Sequence, residues 1–173
     1  MSENRIDPTV AGLFLVAFIA LVFGFLGIEL YQGLSWGLAG VAATLAGFIG
    51  ILFVVLTVSA IRAGNAFATA LFAVVAVALV MVPICFGVSF FAFILVAIFL
   101  LVFALIAFLI GTPKLLVIIL AFVALLYLFV GLCINDGIVD SIFALLFGIF
   151  GILAGAVALY LAVALSTEKF PVF

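Results

Sequence analysis

The fold is decided between Ala63 and Pro113, AGNAFATALFAVVAVALVMVPICFGVSFFAFILVAIFLLVFALIAFLIGTP, 51 residues without a charged side chain. As one helix, at about 1.5 Å per residue, it would measure roughly 77 Å, against a hydrocarbon core of about 30 Å. The stretch must fold back once. Pro83-Ile84-Cys85-Phe86-Gly87 lies near its middle with a breaker at each end, so it marks the turn. On either side lie shorter charge-free runs: Pro8 to Ile28 (21 residues), Leu30 to Ile61 (32), Leu115 to Asn135 (21) and Ser141 to Thr167 (27). Each holds one spanning helix of about 20 residues. The spacing predicts six helices, at 9–30, 36–62, 66–85, 88–110, 114–133 and 139–166, in a single membrane domain covering residues 1–173.

Composition agrees with that reading. Of 173 residues, 73% are hydrophobic and 6% charged, whereas a soluble chain carries about 25% charged residues to keep its surface wet. A soluble enzyme and a disordered chain are excluded. Nucleic acid is excluded as a partner too, because four Lys and Arg set against six Asp and Glu cannot answer a polyphosphate. Runs such as Ile98-Phe99-Leu100-Leu101-Val102-Phe103 lack the alternation of a β-barrel strand. The chain reads as an all-α integral membrane protein with the lipid bilayer as its solvent. The apolar run after Met1 to Pro8 is too long for a signal-peptide core, and reads as a retained span.

Orientation follows the basic residues. Arg5, Arg62, Lys114 and Lys169 all fall on one side of a six-span chain, and Glu29, Asp136 and Asp140 on the other. Both termini are therefore expected in the cytoplasm, N-in and C-in, with the protein multi-pass in the cytoplasmic membrane. Helix starts carry suitable caps: Asp7-Pro8 and Thr112-Pro113 each set an oxygen before a proline at the first helical position. Asn65 caps the third helix, and Asp136 or Asp140 the sixth.

Chemistry is scarce. The chain has no His and two Cys, which leaves no metal-ligand set. Cys85 and Cys133 read as inert apolar thiols, with a disulfide as the geometric alternative. No paired carboxylates, nucleophile–base pair or phosphate loop is present, so no enzyme, cofactor or metal is expected. Glu29 reads as interfacial, with a functional intramembrane acid as the alternative. Asn65, beside Gly64 and Arg62, offers either a simple cap or, through free amide hydrogens near a cation, a place for a small anion. Phe90, Phe91, Phe93, Phe99 and Phe103 crowd the fourth helix, for lipid contact and interhelical packing rather than a pore lining. Gly40, Ala43 and Gly47 share one face of the second helix; Gly148, Gly151 and Gly155 share one face of the sixth. Both are seams for close helix approach, within a protomer or between protomers.

Several short motifs, in order and suitably spaced, resemble the acetate uptake transporter family, which covers succinate–acetate permeases and ammonia/acetate transporters. Asp7-Pro8-Thr9-Val10-Ala11-Gly12-Leu13 is similar to its N-P-A-P-L-G-L signature, carried here by Asp7, Pro8, Gly12 and Leu13. Gly64-Asn65-Ala66-Phe67 resembles the start of its third helix, and Gly111-Thr112-Pro113-Lys114 its G-T-L-K loop. Gly155-Ala156-Val157-Ala158-Leu159-Tyr160-Leu161-Ala162, then Glu168-Lys169-Phe170, is similar to G-A-S-A-I-Y-L-A and E-Q-F. The resemblance implies six-helix protomers in a homo-oligomer, a hexamer, each protomer passing acetate or a related short monocarboxylate. It also implies a pore constriction at Val16, Val75 and Leu126, where the family has Phe, Tyr and Leu. Asn65 and Ala158 fall on the implied substrate path, and Arg62 and Lys114 are the cations at its cytoplasmic mouth. Phe53 stands at a family Gln position. With no intramembrane base, the substrate is expected to move as the neutral acid or together with a proton. Two other functions fit the composition: a pore for a small neutral solute such as ammonia or urea, and a non-transporting membrane assembly protein.

Overall fold

The computed structural model describes residues 8–33, 37–85, 90–133 and 141–167. They form six helices: α1 (Pro8–Tyr31), α2 (Gly37–Arg62), α3 (Ala66–Cys85), α4 (Phe90–Leu109), α5 (Lys114–Cys133) and α6 (Ser141–Thr167), with no strand among the described residues. Each is long and apolar enough to cross a bilayer. The observed ends lie within two residues of those expected from the charge gaps. Pro83 sits inside the last turn of α3 and the helix stops at Cys85, so the long uncharged stretch does divide there. The proposed caps Asp7, Asp136 and Asp140, the terminal cations Arg5 and Lys169, and Glu168-Lys169-Phe170 lie outside the described residues, as does the side chain of Cys85.

Neighbouring helices run antiparallel around a closed ring in the order α3, α2, α1, α6, α5, α4. The α1/α6, α2/α3, α4/α5 and α5/α6 contacts are extensive, whereas α1/α2 and α3/α4 touch lightly. The ring is thus an α2–α3 pair set against a block of four.

Glycine makes the tightest of these contacts. A methyl group placed at Gly151 would lie 2.7 Å from the Cα of Gly24, and one at Gly27 would lie 2.6 Å from the Cα of Gly148. Gly155 faces Leu21 and the Ala17 carbonyl. The seam read on the sixth helix is therefore internal to the chain, between α1 and α6. The seam on α2 is split. Gly50 and Gly47 meet Val80 and Pro83 of α3, while Gly40 faces open space. Apolar burial gives little drive between helices in lipid, so contact of this closeness is what dispersion forces and weak Cα–H···O bonds require.

Two connectors on one side of the ring use the same stop signal. Gly64 and Gly111 adopt φ of 71° and 72°, left-handed values that a Cβ would strain. After each, the next amide donates back to the carbonyl five residues earlier: Asn65 to Ala60 at 3.1 Å, Thr112 to Ala107 at 3.1 Å. This closes the last turns of α2 and α4 as Schellman caps. It also sets Asn65 and Thr112 in matching positions, directly before α3 and α5.

Candidate functional site: an apolar cavity inside the ring

A cavity of about 230 Å³ lies within the ring, walled by α1, α3 and α5 with Phe53 of α2 and Leu100 of α4; α6 contributes nothing to its lining. Its rim carries Thr9, Asn65 and Thr112, at the starts of the three parallel helices. Its deep end carries Phe23, Leu79 and Tyr127. From the helix starts these last residues are 13 to 15 positions in, hence roughly 20 Å along the axis. Beyond them, Leu30 of α1, Val82 of α3, and Val130 and Cys133 of α5 are buried.

Val16, Val75 and Leu126 all line this cavity. Leu126 is buried and the two valines are half-buried against the core. Gly12 and Leu13 of the signature segment also face it. Gly12 makes room for its neighbour: the Phe72 ring reaches across from α3 to within 2.6 Å of where a Cβ would stand, so a larger residue there would need the ring to shift. Phe72 in turn lies against Phe53, with ring centroids 5.7 Å apart and planes at 58°. Phe53, at 0% exposure, gives the cavity an apolar wall where the resembled family has an amide.

Asn65 lies on the rim, and its Oδ1 accepts a hydrogen bond from the Ala68 amide at 2.9 Å. The side chain is an N-cap, which leaves its oxygen partly used. Thr112 donates its hydroxyl hydrogen to the Ala107 carbonyl at 3.0 Å, reinforcing the cap of α4. Ala158 is elsewhere. It is fully buried in a separate small cluster with Leu13, Ala17, Ile119, Leu161 and Ala162, behind the wall rather than in it. Through that cluster α6 backs α1 and α5. Arg62 and Lys114 are exposed at helix ends flanking Asn65 and Thr112, and neither lines the cavity. Pro8 opens α1, whereas Asp7 lies outside the described residues.

The phenylalanines of α4 leave the cavity alone. Phe91 and Phe99 face outward, Phe103 meets the Phe67 ring across the light α3/α4 contact, and Phe93 stacks on Tyr127. Glu29 borders a groove between residues 22–29 of α1 and 41–45 of α2. Cys133 is buried. The described residues contain no group of side chains that would hold a metal ion. Sequence reasoning missed Phe72 and left Tyr127 without a role. The available signal for Tyr127 was a polar atom in the middle of an otherwise hydrocarbon helix; nothing in the pattern singles Phe72 out from the other 21 phenylalanines.

No family model, curated protein or solved structure matches the chain.

Proposed function

We propose that the protein passes short monocarboxylic acids, acetate or its near homologues, across the cytoplasmic membrane, in the manner of the acetate uptake transporter family that its motifs resemble. One observation carries this reading: Val16, Val75 and Leu126, singled out by motif spacing on three separate helices, line one cavity. The apolar walls favour the neutral acid as the travelling species, since an unpaired carboxylate inside hydrocarbon is strongly disfavoured. Val16, Val75 and Leu126 act as a hydrophobic constriction that holds the path dry. Arg62 and Lys114, at the rim end, raise the local concentration of the anion before it takes up a proton.

With both termini in the cytoplasm, the rim faces inward and the end that carries Leu30, Val82, Val130 and Cys133 faces outward. Passage then needs that end to open. The light α1/α2 and α3/α4 contacts are where the ring yields most cheaply, so the α2–α3 pair moves as the unit.

Uptake of isotope-labelled acetate into proteoliposomes, with and without an inward-directed proton gradient (acidic outside), tests the function. Acetate flux that rises with the gradient is expected. Flux of urea or ammonia alone assigns the cavity to neutral solutes, and no flux of any solute leaves a membrane assembly protein. Topology has its own test. Cysteines introduced at Ser2 and Ser166 are expected to resist an impermeant maleimide in intact cells while one at Gly137 reacts, and external labelling at either terminus refutes the orientation. The proposed hexamer is checked by native mass spectrometry in mild detergent, where a purely monomeric spectrum counts against it.

A further inference from the structure

We infer that the Tyr127 hydroxyl is the polar anchor of the cavity and that it binds the carboxyl group of a protonated short-chain acid, whose hydrocarbon tail lies along the apolar wall toward the rim. The inference rests on the proposed passage of monocarboxylic acids, and names the group that holds them and the substrate class it selects.

Tyr127 is only 7% exposed. Its ring is fixed against Phe93, centroids 6.3 Å apart and planes at 30°. Its hydroxyl makes no hydrogen bond with the described residues. No buried side-chain polar atom among them is both sealed in and unbonded, so this hydroxyl keeps some accessible surface, and the residue that carries it lines the cavity. A phenol in such surroundings is costly unless something in the cavity satisfies it. The other polar lining residues stand at the rim, where Asn65 and Thr112 are engaged in helix caps. At depth the lining offers one polar group.

Its chemistry selects the ligand. A phenol donates one hydrogen bond and accepts others, which matches a neutral carboxyl group with its own O–H and C=O. A carboxylate is a poor fit, because the cations Arg62 and Lys114 lie at helix ends about 20 Å away along the axis. The volume extends the argument. An apolar cavity of about 150 Å³ accommodates a benzene-sized guest, and about 230 Å³ is available here. Acids longer than acetic acid therefore fit, and each added methylene buried along the wall should tighten binding about three- to fourfold until the space is filled.

The chain has three tyrosines, so a Tyr31→Phe/Tyr160→Phe background leaves Tyr127 as the sole reporter. In that protein in nanodiscs, the tyrosine Fermi doublet in ultraviolet resonance Raman spectra reads the hydrogen-bonding state of the phenol. Titration with acetic, propionic and butyric acids is expected to shift the doublet. The response should follow the concentration of neutral acid rather than total acid, with half-saturation falling along the series. Tyr127→Phe is expected to weaken half-saturation of labelled butyric acid uptake by about two- to tenfold. A doublet that ignores acid while uptake proceeds, with Tyr127→Phe behaving as wild type, overturns the anchor and leaves the passage intact. A doublet already hydrogen-bonded before acid is added, and unchanged by it, assigns the hydroxyl to water and also overturns the anchor. A shift without uptake retains the anchor and refutes the passage; neither shift nor uptake refutes both.

Discussion

Replacing Gly151 with leucine is expected to lower sharply both the yield of folded protein and its melting temperature. The new Cβ would stand 2.7 Å from both the Cα and the amide nitrogen of Gly24 and 2.8 Å from the Ala20 carbonyl oxygen. All three are backbone atoms, so no rotamer change relieves the clash. Overpacking a core ordinarily costs about 1–3 kcal/mol when side chains can shift. Here α1 and α6 must separate along their length, forfeiting the contacts of Gly24, Gly27, Gly148 and Gly155 together, and the loss should exceed that range. Gly40→Leu is the matched control. Gly40 has nothing within 4 Å of its virtual Cβ, so the same residue added there should leave stability nearly unchanged. Thermal unfolding of the two variants in mild detergent, followed by loss of a monodisperse elution peak, makes the comparison. Equal melting curves would overturn the α1/α6 packing.

Val75→Trp is expected to abolish acid flux while the protein stays folded, and Val75→Ser to raise it. Val75 is half-buried, lining the cavity and packed against the core on its other side. An indole there can extend into open volume, which avoids most of the strain that overpacking produces in a solid interior. It would close the path beside Val16 and Leu126, for a drop in flux of tenfold or more. The serine hydroxyl acts in the opposite sense, because a polar group lets water into a constriction that gates by drying. Serine can also return its hydrogen bond to the carbonyl one turn back, so it costs α3 little. Labelled acetate uptake per folded protein is the measurement, with elution profile and melting temperature as checks on folding. Two well-folded variants that conduct as wild type would remove Val75 from the gate.

Much of this was legible before any coordinates. The 51 uncharged residues from Ala63 to Pro113 exceed what one span can hold, so the count of helices followed from length and the position of Pro83. Helix ends were legible because Gly64-Asn65 and Gly111-Thr112-Pro113 are local stop-and-start signals whose geometry depends on a few adjacent residues. That Val16, Val75 and Leu126 belong together was suggested only by the resemblance, and what the fold adds is that they line one cavity. Val16 and Val75 are ordinary valines among many, and no local property marks them. Tyr127 showed itself as a polar side chain in the membrane, but not as one that faces a cavity. Ala158 was grouped with the substrate path, yet it is sealed behind Leu13 and Ile119.

What the amino-acid sequence determined by itself was therefore one-dimensional: a composition suited to lipid, six helices long and apolar enough to span it, their approximate ends, and which faces carry glycine. Those properties are sums along the chain or contacts within one turn. Tertiary structure decided which helix each face meets. Gly148, Gly151 and Gly155 could have joined two protomers, and instead they seat α1 against α6. The same packing leaves the space between α1, α3 and α5 unfilled, and turns Tyr127, Phe72 and the three aliphatic positions onto it. A helix that is apolar all round has no hydrophobic stripe to announce its partner, and lipid does not penalise one apolar face over another. Only the shape match between particular backbones and side chains breaks that degeneracy, and shape is a property of the assembled ring.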